Sequence, residues 1–343
     1  MRSEPNYNTI PVGQLGIIAL PGCEELANKI DNYLIRWRFQ RNSEHKDTLA
    51  FAGYEKSTYL INMDFPRFGT GEGKAALNQT VRGYDIYILC DVFNYGVTYK
   101  MYGITVPMSP DEHFANLKRA ISAIEGKAKR VSVIMPMLYE GRQHKRSSRE
   151  SLDCAMMLQE LHNMGVENFI TFDAHDPRVM NAIPLCGFEI ISPAYQMIKA
   201  AVNNVDNLKI NKDNIMIISP DVEGKDVIIV DDMISSGESM IEVATKLKEL
   251  KAARIYIFSA FGLFCNGFDA FDKAFQEGII DRVFTTNLIY GTPELLSKDW
   301  YIRVDMSKYL SYIIDTLNHD TSISDLLDPA EKINTLLEKK GLK

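Results

Sequence analysis

Several short runs in this chain are apolar from end to end, with no alternation of polar and apolar residues, and this constrains the fold more than any other sequence feature. They stand among the candidate strands Leu15–Leu20, Asp85–Cys90, Val131–Met135, Phe169–Asp173, Ile215–Ser219, Val227–Val230, Ile255–Ala260, Val283–Thr285 and Tyr301–Val304, of which several, such as Val227–Val230, are apolar throughout. A strand with one wet face alternates. A strand apolar on both sides must be covered on both sides, as in a parallel sheet between layers of helix. Stretches with helical spacing lie between the runs. Leu152, Ala155, Leu158 and Leu161 mark one face of Ser151–Met164, which Gly165 stops; Met240, Val243, Ala244, Leu247 and Leu250 mark one face of Glu238–Leu250. The alternation predicts an α/β fold whose mostly parallel sheets are flanked by helices. At about 100–200 residues per domain, 343 residues make two domains. Asn203–Lys212 reads as a polar surface connection and Pro329–Lys343 as a charged terminal helix.

Two of the predicted strands end in acidic residues, Asp173 and Asp231. In open α/β sheets, ligands bind beyond the carboxyl ends of the strands, so each half of the chain offers a site. The more informative one is Val227-Ile-Ile-Val-Asp-Asp-Met-Ile-Ser-Ser-Gly-Glu-Ser239. Backbone N–H groups of Ser235–Ser239 at the start of a helix would seat a phosphate. The hydroxyls of Ser235, Ser236 and Ser239 add donors, and Gly237 lets the backbone approach the anion. Asp231 and Asp232 stand where they would accept hydrogen bonds from vicinal sugar hydroxyls. Phosphate at one end and a diol at the other describe a ribose 5-phosphate unit. An ordinary capped turn explains one Asp or one Ser, but poorly explains the whole string.

The net charge of −7 argues against an electrostatic grip on nucleic acid or an anionic membrane. No run reaches the ~18 apolar residues of a membrane span. Cys23, Cys90, Cys154, Cys186 and Cys265 form no C-x-x-C pair, and an odd count fits no closed disulfide framework. These features predict reduced thiols in a soluble, cytoplasmic protein. Gly69-Thr-Gly-Glu-Gly-Lys74 is not a P-loop, because its first glycine is misplaced and Ala75 stands where Ser or Thr is needed.

The Val227–Ser239 string resembles the phosphoribosyl diphosphate binding loop of the type I phosphoribosyltransferase fold, and further segments narrow the resemblance to the ribose-phosphate pyrophosphokinases. Val81-Arg-Gly-Tyr-Asp-Ile-Tyr-Ile88 is similar to a strand motif of that family. Phe68-Gly-Thr-Gly-Glu72 resembles its adenine loop, and Tyr139-Glu-Gly-Arg-Gln-His-Lys-Arg146 its ATP-binding segment. Thr171-Phe-Asp-Ala-His175 resembles its metal segment, and Ile218-Ser-Pro-Asp221 a strand end. The matches occur in family order and cover roughly Leu15 to Asn318.

The resemblance implies two tandem phosphoribosyltransferase-type domains, 12–192 and 193–320, with a terminal helix or tail at 321–343. It implies pyrophosphoryl transfer from Mg-ATP to the 1-hydroxyl of ribose 5-phosphate, giving phosphoribosyl diphosphate and AMP. Arg142 and Gln143 would hold the polyphosphate, since Arg offers a rigid fork of donors. Phe68 and Glu72 would meet adenine by stacking and hydrogen bonding. His175 and Asp221 would bind Mg²⁺, and Asp231, Asp232, Ser235, Ser236, Gly237, Glu238 and Ser239 would hold ribose 5-phosphate. In the family the adenine loop reaches into a neighbouring subunit's site, so the match implies a homo-oligomer, either a dimer or a hexamer built of dimers.

The sequence departs from the family pattern at several points. Thr70 replaces Asp in the adenine loop, His144 replaces the Asp after Arg-Gln, and Ser235 and Glu238 replace Asp and Gly in the phosphate loop. The largest departure follows Asp221. The family has a further helix, strand and mobile loop with a catalytic Lys and Arg there; here Val222-Glu-Gly-Lys-Asp226 leads straight into Val227. This link reads as a tight turn at Glu223-Gly224-Lys225, too short for a parallel crossover. No catalytic Lys or Arg is therefore assigned. Two alternatives remain: a non-catalytic regulatory homologue, and a salvage phosphoribosyltransferase, which would have no use for the Arg142–Gln143 and His175 segments.

Overall fold

The computed structural model describes residues 9–42, 51–206, 208, 215–216 and 222–342. Asp221 and positions 217–219 of the fifth predicted strand lie outside the described residues, as does most of the connection predicted after Asn204.

The chain divides into two compact units. The first runs to Ile191 and also takes in Ser307–Leu326; the second comprises Ser192–Met306 and Leu327–Lys343. The first unit is built on β1 (Gln14–Ala19), β4 (Tyr84–Leu89), β7 (Arg130–Ile134), β8 (Asn168–Phe172) and β9 (Gly187–Ile191), paired in parallel in the order β1-β4-β7-β8-β9. Helices α1 (Glu24–Asn42), α2 (Pro110–Ile124) and α3 (Asp153–Asn163) connect them. Two small antiparallel hairpins project between strands: β2 (Met63–Asp64) with β3 (Ala76–Leu77), and β5 (Thr98–Met101) with β6 (Ile104–Pro107). Ser109 starts α2 with a capping box: its side chain accepts from the Glu112 backbone N–H, while the Glu112 carboxylate accepts from the Ser109 N–H. Ile86, Ile88 and Val133 from the sheet pack with Leu117 and Ile121 of α2 and Leu158 of α3.

The second unit opens with α4 (Ala194–Asn204). Strands β10 (Ile215–Met216), β11 (Asp226–Ile234), β12 (Ile255–Gly262), β13 (Arg282–Thr286) and β14 (Tyr301–Val304) pair in parallel in sequential order, with α5 (Glu238–Glu249), α6 (Asp269–Gln276) and α7 (Pro293–Leu296) between them. Val227, Ile257 and Val283 pack with Met240, Ala244, Phe264, Phe271 and Trp300. Both sheets are all-parallel and flanked by helices, as the unalternated runs require. Val230 is an exception: it is 62% exposed despite its place within β11.

The turn at Glu223–Lys225 forms, with Gly224 at φ 73° and the Lys225 N–H donating to the Val222 carbonyl. The sequence argument against a parallel pairing across this link does not hold, because Ile215 and Met216 pair in parallel with Asp226 and Val227. A strand of two residues rises only about 7 Å, so returning to its start takes little chain.

Near its end the chain returns from the second unit to the first. Helix α8 (Ser307–Asn318) belongs to the first unit, and α9 (Ser324–Leu327) straddles the return to the second, where α10 (Ala330–Lys339) packs against α4. The physical reason lies on α1. Arg38 is 1% exposed, and its guanidinium donates to Asp315 Oδ1 (3.0 and 2.9 Å) and Asn318 Oδ1 (2.6 Å) of α8. Arg41 pairs with the other Asp315 oxygen. A buried Arg must be paired, and its partners lie more than 270 residues away.

Candidate functional site

In the second unit the carboxylates do not end a strand. β11 runs through Asp231 and Asp232 to Ile234, with Asp231 opposite Ser259 and Met233 opposite Phe261 of β12. Each side chain turns onto the backbone of the residue after it: Asp231 Oδ1 accepts from the Asp232 N–H (2.9 Å), and Asp232 Oδ1 from the Met233 N–H (3.0 Å). Ser235 and Ser236 make the turn. Gly237, at φ 82°, caps α5, and a Cβ there would fall 2.3 Å from the Phe271 ring, so only glycine fits. The Ser235 carbonyl accepts from the Cys265 N–H (2.8 Å), tying the turn to the loop after β12. Glu238, in the first turn of α5, accepts from Asn266 Nδ2 (3.3 Å), and Ser239 is exposed beside it. The structure therefore brings all seven predicted ribose 5-phosphate residues onto one strand–turn–helix segment. Its helix N-terminus carries the partial positive charge of the aligned peptides.

In the first unit, the loops after β7 and β8 meet. Tyr139 donates to Asp111 Oδ1 (2.5 Å), and burial together with that bond pushes its phenol well up. Glu140 takes a left-handed φ of 55°; burial, Asp153 and Asp111 raise its carboxyl above the usual range. Arg142 is exposed, whereas Gln143 donates to Glu150 Oε2 and the Ser151 carbonyl, both at 3.2 Å. Gln143 is thus engaged within its own loop. His175 is exposed beyond β8, its ring centroid 5.5 Å from that of His144. His144 Nε2 stands 3.2 Å from Asp176 Oδ2. Asp176 also accepts from the Arg178 backbone N–H and, in a fork, from its guanidinium. These bonds from Arg178 hold its carboxyl well below the usual carboxylate range. The part played by His144 and Asp176 has no local sequence signature beyond the His that replaces a family Asp.

The predicted adenine loop is a tight excursion between β2 and β3. The Phe68 N–H donates to the Glu72 carbonyl (2.8 Å), and the Gly71 N–H to the Phe68 carbonyl (2.9 Å). Phe68 is left 56% exposed and Thr70 donates to Glu72 Oε2 (2.8 Å). Arg67 secures the loop, donating to the Gly71 carbonyl (2.9 Å) while lying over the Tyr99 ring of β5 at 4.7 Å. Sequence reasoning missed Arg67, which directly precedes the recognised motif.

A family model described as the N-terminal domain of ribose phosphate pyrophosphokinase matches residues 15–165, and one described as the phosphoribosyl synthetase-associated domain matches residues 189–328. The chain belongs to the ribose-phosphate pyrophosphokinase family. Among its relatives, the ribose-phosphate pyrophosphokinase of Vibrio cholerae is 24% identical over 299 residues, covering 76% of this chain and 90% of that protein. That of Mycoplasmopsis pulmonis is 24% identical over 294 residues, covering 76% and 86%. The crystal structure of phosphoribosylpyrophosphate synthetase from Mycobacterium smegmatis superposes with a TM-score of 0.70 at 16% identity, over 90% of this chain and 99% of that one, and so shares the fold.

Ribose-phosphate pyrophosphokinases are transferases. Among the described residues, no group of three or more His, Cys, Asp or Glu is arranged to hold a metal, and no helix is long and apolar enough to cross a membrane. Mg²⁺ needs few protein ligands, because it keeps waters and takes phosphate oxygens. An exposed His175 beside the buried, unpartnered Nδ1 of His144 is compatible with such a sparse seat.

Proposed function

We propose that the chain binds ribose 5-phosphate and Mg-ATP and, as a ribose-phosphate diphosphokinase, transfers pyrophosphate from ATP to the sugar 1-hydroxyl. The observation that carries this reading is the β11–α5 segment, where Asp231 and Asp232 precede a glycine-capped helix start lined by Ser235, Ser236 and Ser239. The helix N-terminus and hydroxyls would receive the 5-phosphate, and the carboxylates the sugar hydroxyls. Arg142 and Gln143 would hold the ATP polyphosphate, Phe68 and Glu72 the adenine, and His175 with Asp221 the Mg²⁺. The metal would neutralise phosphate charge. The reading includes a cytoplasmic homo-oligomer, with Phe68 exposed to reach a neighbouring subunit. A second reading, a non-catalytic regulatory homologue, is favoured by one observation. The connection 217–225 has nine residues, and it leaves no room for the family's mobile Lys- and Arg-bearing loop.

Cations that stabilise a phosphoryl-transfer transition state are worth ~10³–10⁵ in rate, and ground-state binding does not replace them. On the regulatory reading, ribose 5-phosphate-dependent AMP release by the 343-residue chain stays near background while both ligands protect against heat; on the catalytic reading it reaches the ordinary ~1–100 s⁻¹ of phosphoryl transfer. Turnover of ~1–100 s⁻¹ would overturn the regulatory reading and show that another cation fills the role. Failure to bind ribose 5-phosphate would overturn both.

A further inference from the structure

His144 stands where the family carries Asp, and its surroundings are those of a ligand rather than of a surface residue. Its Nε2 lies 3.2 Å from Asp176 Oδ2. A carboxylate favours the ring proton on the nitrogen it faces, so Nε2 carries the proton and Nδ1 keeps a lone pair. That Nδ1 is buried without a hydrogen-bond partner. A buried acceptor in this state is destabilising unless a donor or a cation completes it.

The neighbouring ring is that of His175, with centroids 5.5 Å apart and planes inclined at 59°. Imidazole nitrogen binds Zn²⁺ at ~2.0–2.1 Å, and a tetrahedral Co²⁺ taken at the same distance lies ~3.2 Å from each ring centroid. Two such rings, at angles from tetrahedral to about 120°, have centroids ~5.2–5.6 Å apart. The observed separation falls in that interval. Asp176, fixed by Arg178, supplies the carboxylate that orients ligating histidines in metal sites.

We propose that His144 is a second metal ligand beside His175, and that the pair tunes the nucleotide site toward a later first-row transition ion of the Co²⁺ kind in preference to Mg²⁺. The inference rests on the reading that puts the metal on His175. Mg²⁺ selects oxygen ligands, whereas imidazole suits the later ions, so exchanging Asp for His in this loop shifts the preference. Nucleotide phosphates and water would fill the remaining positions.

The test titrates Co²⁺, and separately Mg²⁺, into the full chain without nucleotide, following heat and visible ligand-field absorption. Co²⁺ is expected to bind about tenfold or more tightly than Mg²⁺. His144→Ala and His144→Gln should each weaken Co²⁺ by about tenfold or more, leaving Mg²⁺ within about twofold. Melting curves establish that the variants fold, and the Gln variant preserves polar bulk. Unchanged Co²⁺ binding in both His144 variants, or equal affinity of the parent for the two ions, overturns the proposal. His175→Ala separates the two failures. If it alone weakens Co²⁺, His175 is the single ligand and His144 is not one. If it too changes nothing, the metal assignment of His175 falls as well, while the ribose 5-phosphate seat stands untouched.

Discussion

Replacing Gly237 with Ala tests the phosphate turn at its most constrained point. The residue sits at φ 82°, and a Cβ there would lie 2.3 and 2.4 Å from two atoms of the Phe271 ring. Phe271 cannot retreat: it is fully buried, stacked on Trp300 at 5.3 Å and edge-on to Phe264 at 5.1 Å. The left-handed backbone costs an L-residue ~1–2 kcal/mol, and forcing a methyl into a filled core costs ~1–3 kcal/mol. Together they predict roughly 2–5 kcal/mol of destabilisation. Urea unfolding reads this as a lower midpoint at unchanged slope. Pairing the substitution with Phe271→Leu tests the division of the loss. Relative to Phe271→Leu alone, the double variant should lose only the backbone part, ~1–2 kcal/mol. A single-variant loss below about 1 kcal/mol would refute the steric argument, and an unrelieved double variant would refute its attribution to Phe271.

Three further outcomes follow from the same geometry. Asp232→Asn should raise the Kd for ribose 5-phosphate through loss of a charge-assisted bond of ~1.5–3 kcal/mol and leave ATP binding largely unchanged, as calorimetric titration of each ligand would read. Asp315→Ala strands the buried Arg38 guanidinium and should cost ~3–5 kcal/mol in urea unfolding. His319 is held down to about 4 by burial, against the upward pull of Asp315. Its folded value lies below the ~6.5 of the unfolded chain, so the unfolded state takes up the proton first. Stability should then fall by roughly 3 kcal/mol as pH drops from ~6.5 toward 4, and urea midpoints across that window should lose this slope in His319→Gln.

The strands were legible where their chemistry is local. Ile86–Leu89 and Ile255–Ala260 are apolar on both faces because helices cover both faces, and such runs declare themselves. β9 was not legible, since Gly187-Phe-Glu-Ile-Ile191 is a half-buried edge whose neighbour is found only by folding. The β5–β6 hairpin carried a readable signal in Tyr102-Gly103, both at positive φ, between two short strands. The Asp231–Ser239 string revealed its chemistry because strand, turn and helix start are contiguous. The meeting of His144 with His175 and Asp176 depends on β7 and β8 lying side by side, which no local spacing encodes. The return of α8 to α1 was equally hidden, as polar residues at Ser311, Asp315 and Asn318 look like a solvated face until Arg38 is set against them.

That return has a consequence for how the protein is made. A ribosome synthesises ~5–20 residues per second, and domains ordinarily fold as they emerge, N-terminal first. Here the first unit cannot complete its packing in that order. Arg38 leaves the ribosome early but meets Asp315 and Asn318 only after the Ser192–Met306 part of the second unit has been synthesised. During that interval of about 14–55 seconds the N-terminal sheet is translated but unsealed, with a cation destined for its interior still needing water. The strands of the first unit's sheet are all translated by Ile191 and only the α8 contact is late, whereas the second unit's sheet strands lie between Ile215 and Val304 and need no contact from earlier in the chain to pair. Nascent chains arrested shortly after Ile191 should therefore remain protease-sensitive around α1, and protection there should arise only once α8 has cleared the exit tunnel.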